Sequence, residues 1–202
     1  FLPEIANDLS VSIPQAGLLI SAYAVGVIIG APLMTLWLAR FPKKTALILL
    51  MAIFTIGNVL ATVAPDYMSL MGARLITSLN HGAFFGLGSV VAASVVPKDK
   101  QASAVAMMFM GLTIANIGGV PLATWLSQNT SWRMAFAAIS ILGIMTILAL
   151  WKALPQDHDM VKPNVAKELR VLTRAPVVLA LLTTVMSAGA MFALYTYIAP
   201  SL

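Results

Sequence analysis

The run MSLMGARLITSLNHGAFFGLGSVVAAS, residues 68–94, carries a guanidinium at Arg74 and an imidazole at His81 among apolar and small residues. An ionisable side chain inside a hydrocarbon layer costs about 2.5–3.5 kcal/mol on insertion scales, which makes each of these a functional candidate by default. Arg74 keeps its proton, so its chemistry is to bias a carboxylate or a solute beside it. The competing reading is that its long side chain snorkels to the outer headgroups. An unperturbed imidazole titrates near 6.5, which suits His81 to proton coupling or solute contact. The alternative is a neutral ring hydrogen-bonded to a neighbouring helix. Seven residues rotate a helix by about 700°, so the two side chains share one face with Ser78 and Phe85. That face is expected to point into a bundle, with Asn80 beside it as packing glue or as lining of a solute path.

Composition supplies the membrane that this reading needs. Sixty per cent of the 202 residues are hydrophobic, 9% are charged, and the mean hydropathy is +0.93. Such a chain has too little polar surface to solvate a globule. Six runs approach the roughly 20 residues that cross a bilayer: 14–38, 45–63, 68–96, 102–126, 132–154 and 176–199. The fold class expected is therefore an all-α, polytopic membrane bundle. Ten of the 12 Lys and Arg residues fall on alternate connections: Arg40, Lys43 and Lys44; Lys98 and Lys100; then Lys152, Lys162, Lys167, Arg170 and Arg174. By the positive-inside rule these connections are cytoplasmic. The net charge of +5 thus reads as orientation charge, and nucleic acid is excluded as the expected partner. The bilayer takes that place.

Residues 1–13 read as the outer end of a preceding helix and an outer loop, and 14–154 as an N-terminal bundle. Residues 155–175 read as a cytoplasmic linker, and 176–202 as the first helix of a second bundle. Within the linker, Val165, Leu169 and Leu172 oppose Lys167, Arg170 and Arg174, the pattern of a short amphipathic surface helix.

Small residues mark the expected packing seams. Ser78, Gly82 and Gly86 are four apart in one span, and Gly111, Gly119 and Ala123 provide a second small-residue surface in the next. Pro121 removes one backbone hydrogen bond and is expected to kink its helix. Thr113 and Asn116, one turn apart, either line a pathway or bond between helices. Tyr195 and Tyr197 fit an interfacial aromatic belt. There is no cysteine, no HExxH and no GxxxxGK[ST], so no metal, no other cofactor, no ATP hydrolysis and no enzymatic nucleophile is expected.

On these motifs the chain resembles the major facilitator superfamily, and within it the drug:proton antiporter and sugar-efflux branch that includes arabinose-efflux-type permeases. TLWLARFPKKTAL stands where that family has GxLaDRxGRKxxL, with Arg40, Lys43 and Lys44 at its basic positions and Ala39 at its acidic one. Arg74 through Asn80 matches RxxqGxg, with Thr77 and Ser78 for Gln and Gly. Gly119, Val120, Pro121, Leu122 and Ala123 resemble a loosened GPxxGG antiporter core, and SWRMAF is similar to the start of the next helix in this branch.

The resemblance implies a partial major-facilitator fold, spans two to seven of twelve. It also implies a monomeric transport unit of the bacterial inner membrane that exchanges a small sugar or amphipathic drug for protons, with Arg74 in the coupling. Uptake symport, and a receptor or scaffold built on the same fold, are the alternatives. No carboxylate lies within the six runs, so a proton-carrying Asp or Glu is expected outside them.

Overall fold

Local sequence sets where the helices begin. Ser12 and Gln15 form a capping box: the Gln15 N–H donates to Ser12 Oγ at 3.3 Å, and the Ser12 N–H donates to Gln15 Oε1 at 2.9 Å. With Pro14 in its first turn, this starts α2 (Ile13–Leu38), which follows the short α1 (Leu2–Asp8). After α3 (Lys43–Thr62), Asp66 accepts the Ser69 N–H at 2.9 Å and opens α4 (Tyr67–Ser94). A 3-10 turn at Lys98–Lys100 leads into α5 (Gln101–Ile114), a π-turn (Ala115–Gly119) and α6 (Val120–Asn129). Ser131 accepts the Arg133 N–H at 3.2 Å and opens α7 (Trp132–Ala153).

This computed structural model describes residues 2–155 and 173–198. The last described element, α8 (Ala175–Ile198), covers the sixth expected span. The chain divides into two units, Phe1–Val161 and Lys162–Leu202, so α8 stands by itself here. The expected amphipathic segment at Val165, Leu169 and Leu172 lies outside the described residues, as do the side chains of Tyr195 and Tyr197. No strand occurs among the described residues.

Five segments are long and apolar enough to cross a membrane: α2, α3, α4, the continuous rod Lys98–Asn129, and α7. Their large apolar side chains point outward, Ile28 being 73% exposed and Ile117 74%. A soluble protein would invert this. In lipid, association comes from close packing rather than from burying oily side chains, so small residues belong in the seams. A Cβ added at Gly26 would lie 2.0 Å from Ser78 Oγ, one at Gly30 would lie 2.8 Å from the Leu79 Cα, and one at Gly82 would lie 2.5 Å from the Ala31 Cβ. These three glycines bring α2 and α4 together, running parallel. Gly57 meets Thr77 and Gly143 meets Thr55 in the same manner, seating α3 against α4 and α7.

The seam therefore differs from the expected one. Gly86 has nothing within 4 Å of its Cβ position, and neither has Gly111; Gly119 meets only Ala115 of its own helix, at 3.9 Å. A regular spacing locates a surface on one helix, whereas the neighbour's path decides which part is covered.

Two apolar clusters hold the ends. Ile5, Leu19, Ala61, Leu70 and Trp132 gather at the outer end, and Leu38, Ala46, Leu50 and Ala83 at the inner one. Buried hydroxyls between them bond back along their own helices, Thr55 to Met51 O and Thr77 to Ala73 O, each at 2.8 Å. Such back-bonding satisfies the hydroxyl without a partner on the next helix.

Pro121 acts through its lost N–H. Just before it the helix widens: the Val120 N–H donates to Ala115 O, five residues back, in the π-turn Ala115–Gly119.

Gly30→Ala is expected to force the α2 backbone off Leu79 and lower stability by about 1–3 kcal/mol, the usual overpacking range. Gly111→Ala, at an open position in a helix interior, should leave stability unchanged or slightly raised. Thermal unfolding of both variants in one detergent checks the contrast.

Candidate functional site

Tyr23 is the residue around which the site is arranged. Gly26, one turn further along α2, lets the helix lie against α4, and this places the Tyr23 ring beneath Arg74. The guanidinium carbon is 4.2 Å from the ring centroid and 5.8 Å from that of Phe136 on α7. Arg74 thus lies half-buried against two aromatic rings, about 10 Å along α4. Among the described residues it makes no hydrogen bond and no ion pair.

The same tyrosine reaches His81, its hydroxyl lying 3.1 Å from Nδ1. A neutral imidazole that accepts the Tyr23 O–H at Nδ1 carries its own proton on Nε2. His81 is exposed toward the side of α4 that α2 and α5 flank. Its ring sits 5.8 Å from Tyr23 and 5.3 Å from Phe85, edge-on to both. Phe85 then stacks on Phe109 of α5, centroids 5.5 Å apart and planes within 7°.

Arg74 and His81 are therefore brought together, through a residue on another helix. Ser78 shares their stripe but turns its hydroxyl to the Leu75 carbonyl, against Gly26. Asn80 does not join the site. It lies roughly 120° round the helix from Arg74 and follows Thr77 toward α3, 5% exposed and with Oδ1 unpartnered. Thr113 falls one turn past Phe109 on α5, and Asn116 sits in the π-turn; both are exposed and neither has a partner among the described residues. Pro121 is exposed and Ala123 half-buried. Sequence reasoning missed Tyr23, Phe109 and Phe136. A tyrosine well inside the apolar stretch LLISAYAVGVIIG was the available signal for the first.

The basic loop after α2 has a different use. Lys44 Nζ donates to the carbonyls of Trp151 and Leu154, both at 2.6 Å, closing the C-terminal end of α7. Arg40 Nε donates to Trp37 O at 2.9 Å, at the end of its own helix. Cations at helix C-termini satisfy orphan carbonyls and oppose the helix dipole. Lys43 opens α3.

On the outer side Arg133 is ion-paired to Asp8, donates to Ala64 O at 2.9 Å and lies over the Trp132 ring. Trp132 Nε1 donates to the same carboxylate at 3.0 Å. These bonds hold the Asp8 carboxyl below its ordinary range, Arg133 being the larger cause and Trp132 the next.

Five apolar spans, a half-buried guanidinium and an open aromatic face are the build of a polytopic membrane protein. The whole chain, residues 1–202, matches the sequence profile of the Major Facilitator Superfamily, and the chain belongs to that family. It is 65% identical over its full length to the inner membrane transport protein YdhP of Escherichia coli, of which it covers 52%. Over 98% of its length it is 31% identical to a chloramphenicol resistance protein of Streptomyces lividans, covering 52% of it. Again over 98%, it is 30% identical to a Pasteurella multocida protein named "Probable sugar efflux transporter", covering 49%. The chain spans about half the length of these curated relatives.

Tyr23→Phe is expected to keep Arg74 in place and remove the hydrogen bond at His81 Nδ1. In a histidine-labelled sample the His81 ring-nitrogen signals should move. Asp8 makes a second prediction. A carboxylate with a depressed folded pKa stabilises fully above its unfolded value, and loses that contribution as pH falls through the folded one. The outer clamp should therefore hold to below about pH 4. Asp8→Asn should remove this acid dependence and lower the unfolding midpoint by about 2–4 °C or less, as both side chains are partly exposed.

Proposed function

We propose that the protein to which this chain belongs is a proton-coupled secondary transporter of the inner membrane. It exports a small sugar or amphipathic drug by rocking two helical bundles about a midplane site, as a monomeric unit. The observation that carries this reading is Arg74, an intramembrane cation without an anionic partner among the described residues, set on a tyrosine that also holds His81. Membrane proteins keep such a charge only where it serves a pathway or a relay. The relatives' names support transport and, for two of them, resistance and efflux.

In this reading His81 senses protons. The groups facing it are Tyr23 from α2 and Arg74 and Phe85 from α4, with Phe109 of α5 behind Phe85, so Arg74 is the only fixed charge there among the described residues. Thr113 and Asn116 line the solute path. Gly111, Gly119, Pro121 and Ala123 form the joint of the α5–α6 rod, and Arg40, Lys43 and Lys44 brace the cytoplasmic end. Asn80 serves packing against α3.

The test uses the complete protein in inverted membrane vesicles with an imposed proton gradient, to which sugars and amphipathic drugs are added in turn. A solute that dissipates the gradient identifies exchange, and the sign of the proton flux separates export from uptake. Arg74→Ala should insert normally and abolish the response. His81→Asn should flatten its pH dependence between about 5.5 and 7.5. Wild-type exchange in Arg74→Ala would remove Arg74 from the mechanism.

A further inference from the structure

Resting on the reading that this face takes the solute, we propose that it selects planar aromatic solutes bearing oxygen acceptors, neutral or anionic, over aromatic cations and over sugars. The selection follows from what the face offers.

Its floor is a run of rings from three helices: Tyr23, His81, Phe85 and Phe109. Ring pairs prefer offset-parallel or edge-on contacts with centroids 4.5–7 Å apart, and this run uses both. Phe85 and Phe109 lie parallel within 7°, and Phe109 keeps 41% of its surface exposed. A third flat ring can extend such a stack. A sugar can lie on the ring through a C–H face but adds no second aromatic ring to the stack.

The polar groups at the end of the run are donors. A guanidinium carries five N–H bonds and no acceptor, and those of Arg74 have no protein acceptor among the described residues. The Nε2 of His81 adds another donor when Nδ1 accepts from Tyr23. Nitro, carboxylate, carbonyl and phenolic oxygens match this set. A sugar ring needs donors and acceptors interleaved along it, whereas the acceptors on this path are the neutral side chains of Thr113 and Asn116, and the helices α2, α3, α4, α5, α6 and α7 themselves hold no carboxylate.

Aromatic faces also attract cations, which would favour a cationic solute. Here that position is already filled, because Arg74 itself sits over Tyr23 and near Phe136. A second positive charge would meet the first in a medium that screens poorly.

The experiment measures binding by the complete protein in lipid nanodiscs, without a gradient. Four probes of similar size are compared: 4-nitrobenzoate, 4-nitrobenzyl alcohol, trimethylanilinium and arabinose. The first two should bind at least about tenfold more tightly than the last two. Phe109→Leu should weaken the first two about tenfold, and Phe109→Tyr, which restores the ring, should recover them. Arg74→Met should remove the advantage of nitrobenzoate over nitrobenzyl alcohol.

Equal or tighter binding of trimethylanilinium or arabinose overturns the inference, as does unchanged aromatic affinity in a folded Phe109→Leu. The vesicle assay separates this from the transport reading. Aromatic binding without vesicle exchange supports the site and removes the transport role. Exchange of sugars or cations without aromatic binding keeps transport and overturns the site.

Discussion

Everything else in the described bundle depends on the close approach of α2 to α4. Gly26, Gly30 and Gly82 leave no room for side chains between the two backbones, and Ser78 and Ala31 fill what remains. In lipid no hydrophobic force drives helices together, so stability must come from contacts of this kind. The approach also has a chemical result. Only at this separation does a tyrosine on one helix lie under an arginine on the other while its hydroxyl meets the histidine two turns along. Packing and site are one arrangement, and a change in the crossing would move both.

The ends of the bundle show a complementary use of charge. At one end, one arginine gathers the acidic side chain that ends α1, the ring beside it and a carbonyl just past α3. At the other, one lysine of α3 closes the carbonyl end of α7. These groups stand near water, where ion pairs contribute little, so their value lies in fixing α3 and α7 relative to each other. The pair forms a firm back against which α4 carries its functional face. The middle, away from water, holds a single cation set on aromatic rings. A cation there needs the electron-rich faces that it has.

Much of this was legible before any coordinates. The spans are written in hydropathy, and the shared face of Arg74 and His81 in a spacing of seven. Local chemistry even marks helix starts, as at Ser12, Asp66 and Ser131. What the chain did not disclose was pairing. Tyr23 is one apolar-looking residue in a long apolar helix, and its meaning exists only once α4 is beside it. Gly86 looked equivalent to Gly82 because spacing alone cannot say where a neighbouring helix departs. Asn80 looked close to the site because adjacency in sequence is not adjacency on a helix. The role of Arg133 was hidden because its partner, Asp8, is far away in the chain.

The π-turn before Pro121 has a consequence for how this rod is compared with others. A turn closed five residues back holds one residue more than a regular turn, equivalent to a single insertion that the helix has swallowed rather than looped out. Every side chain after Gly119 is set back by about 100° relative to the phase set by Gln101–Ile114. The outer half of the rod therefore shows its neighbours a different stripe from the one that an unbroken helical wheel would draw. A chain lacking that residue would align with a one-position gap, but with the half-buried Ala123 and the buried Ser127 turned about 100° away from their present direction.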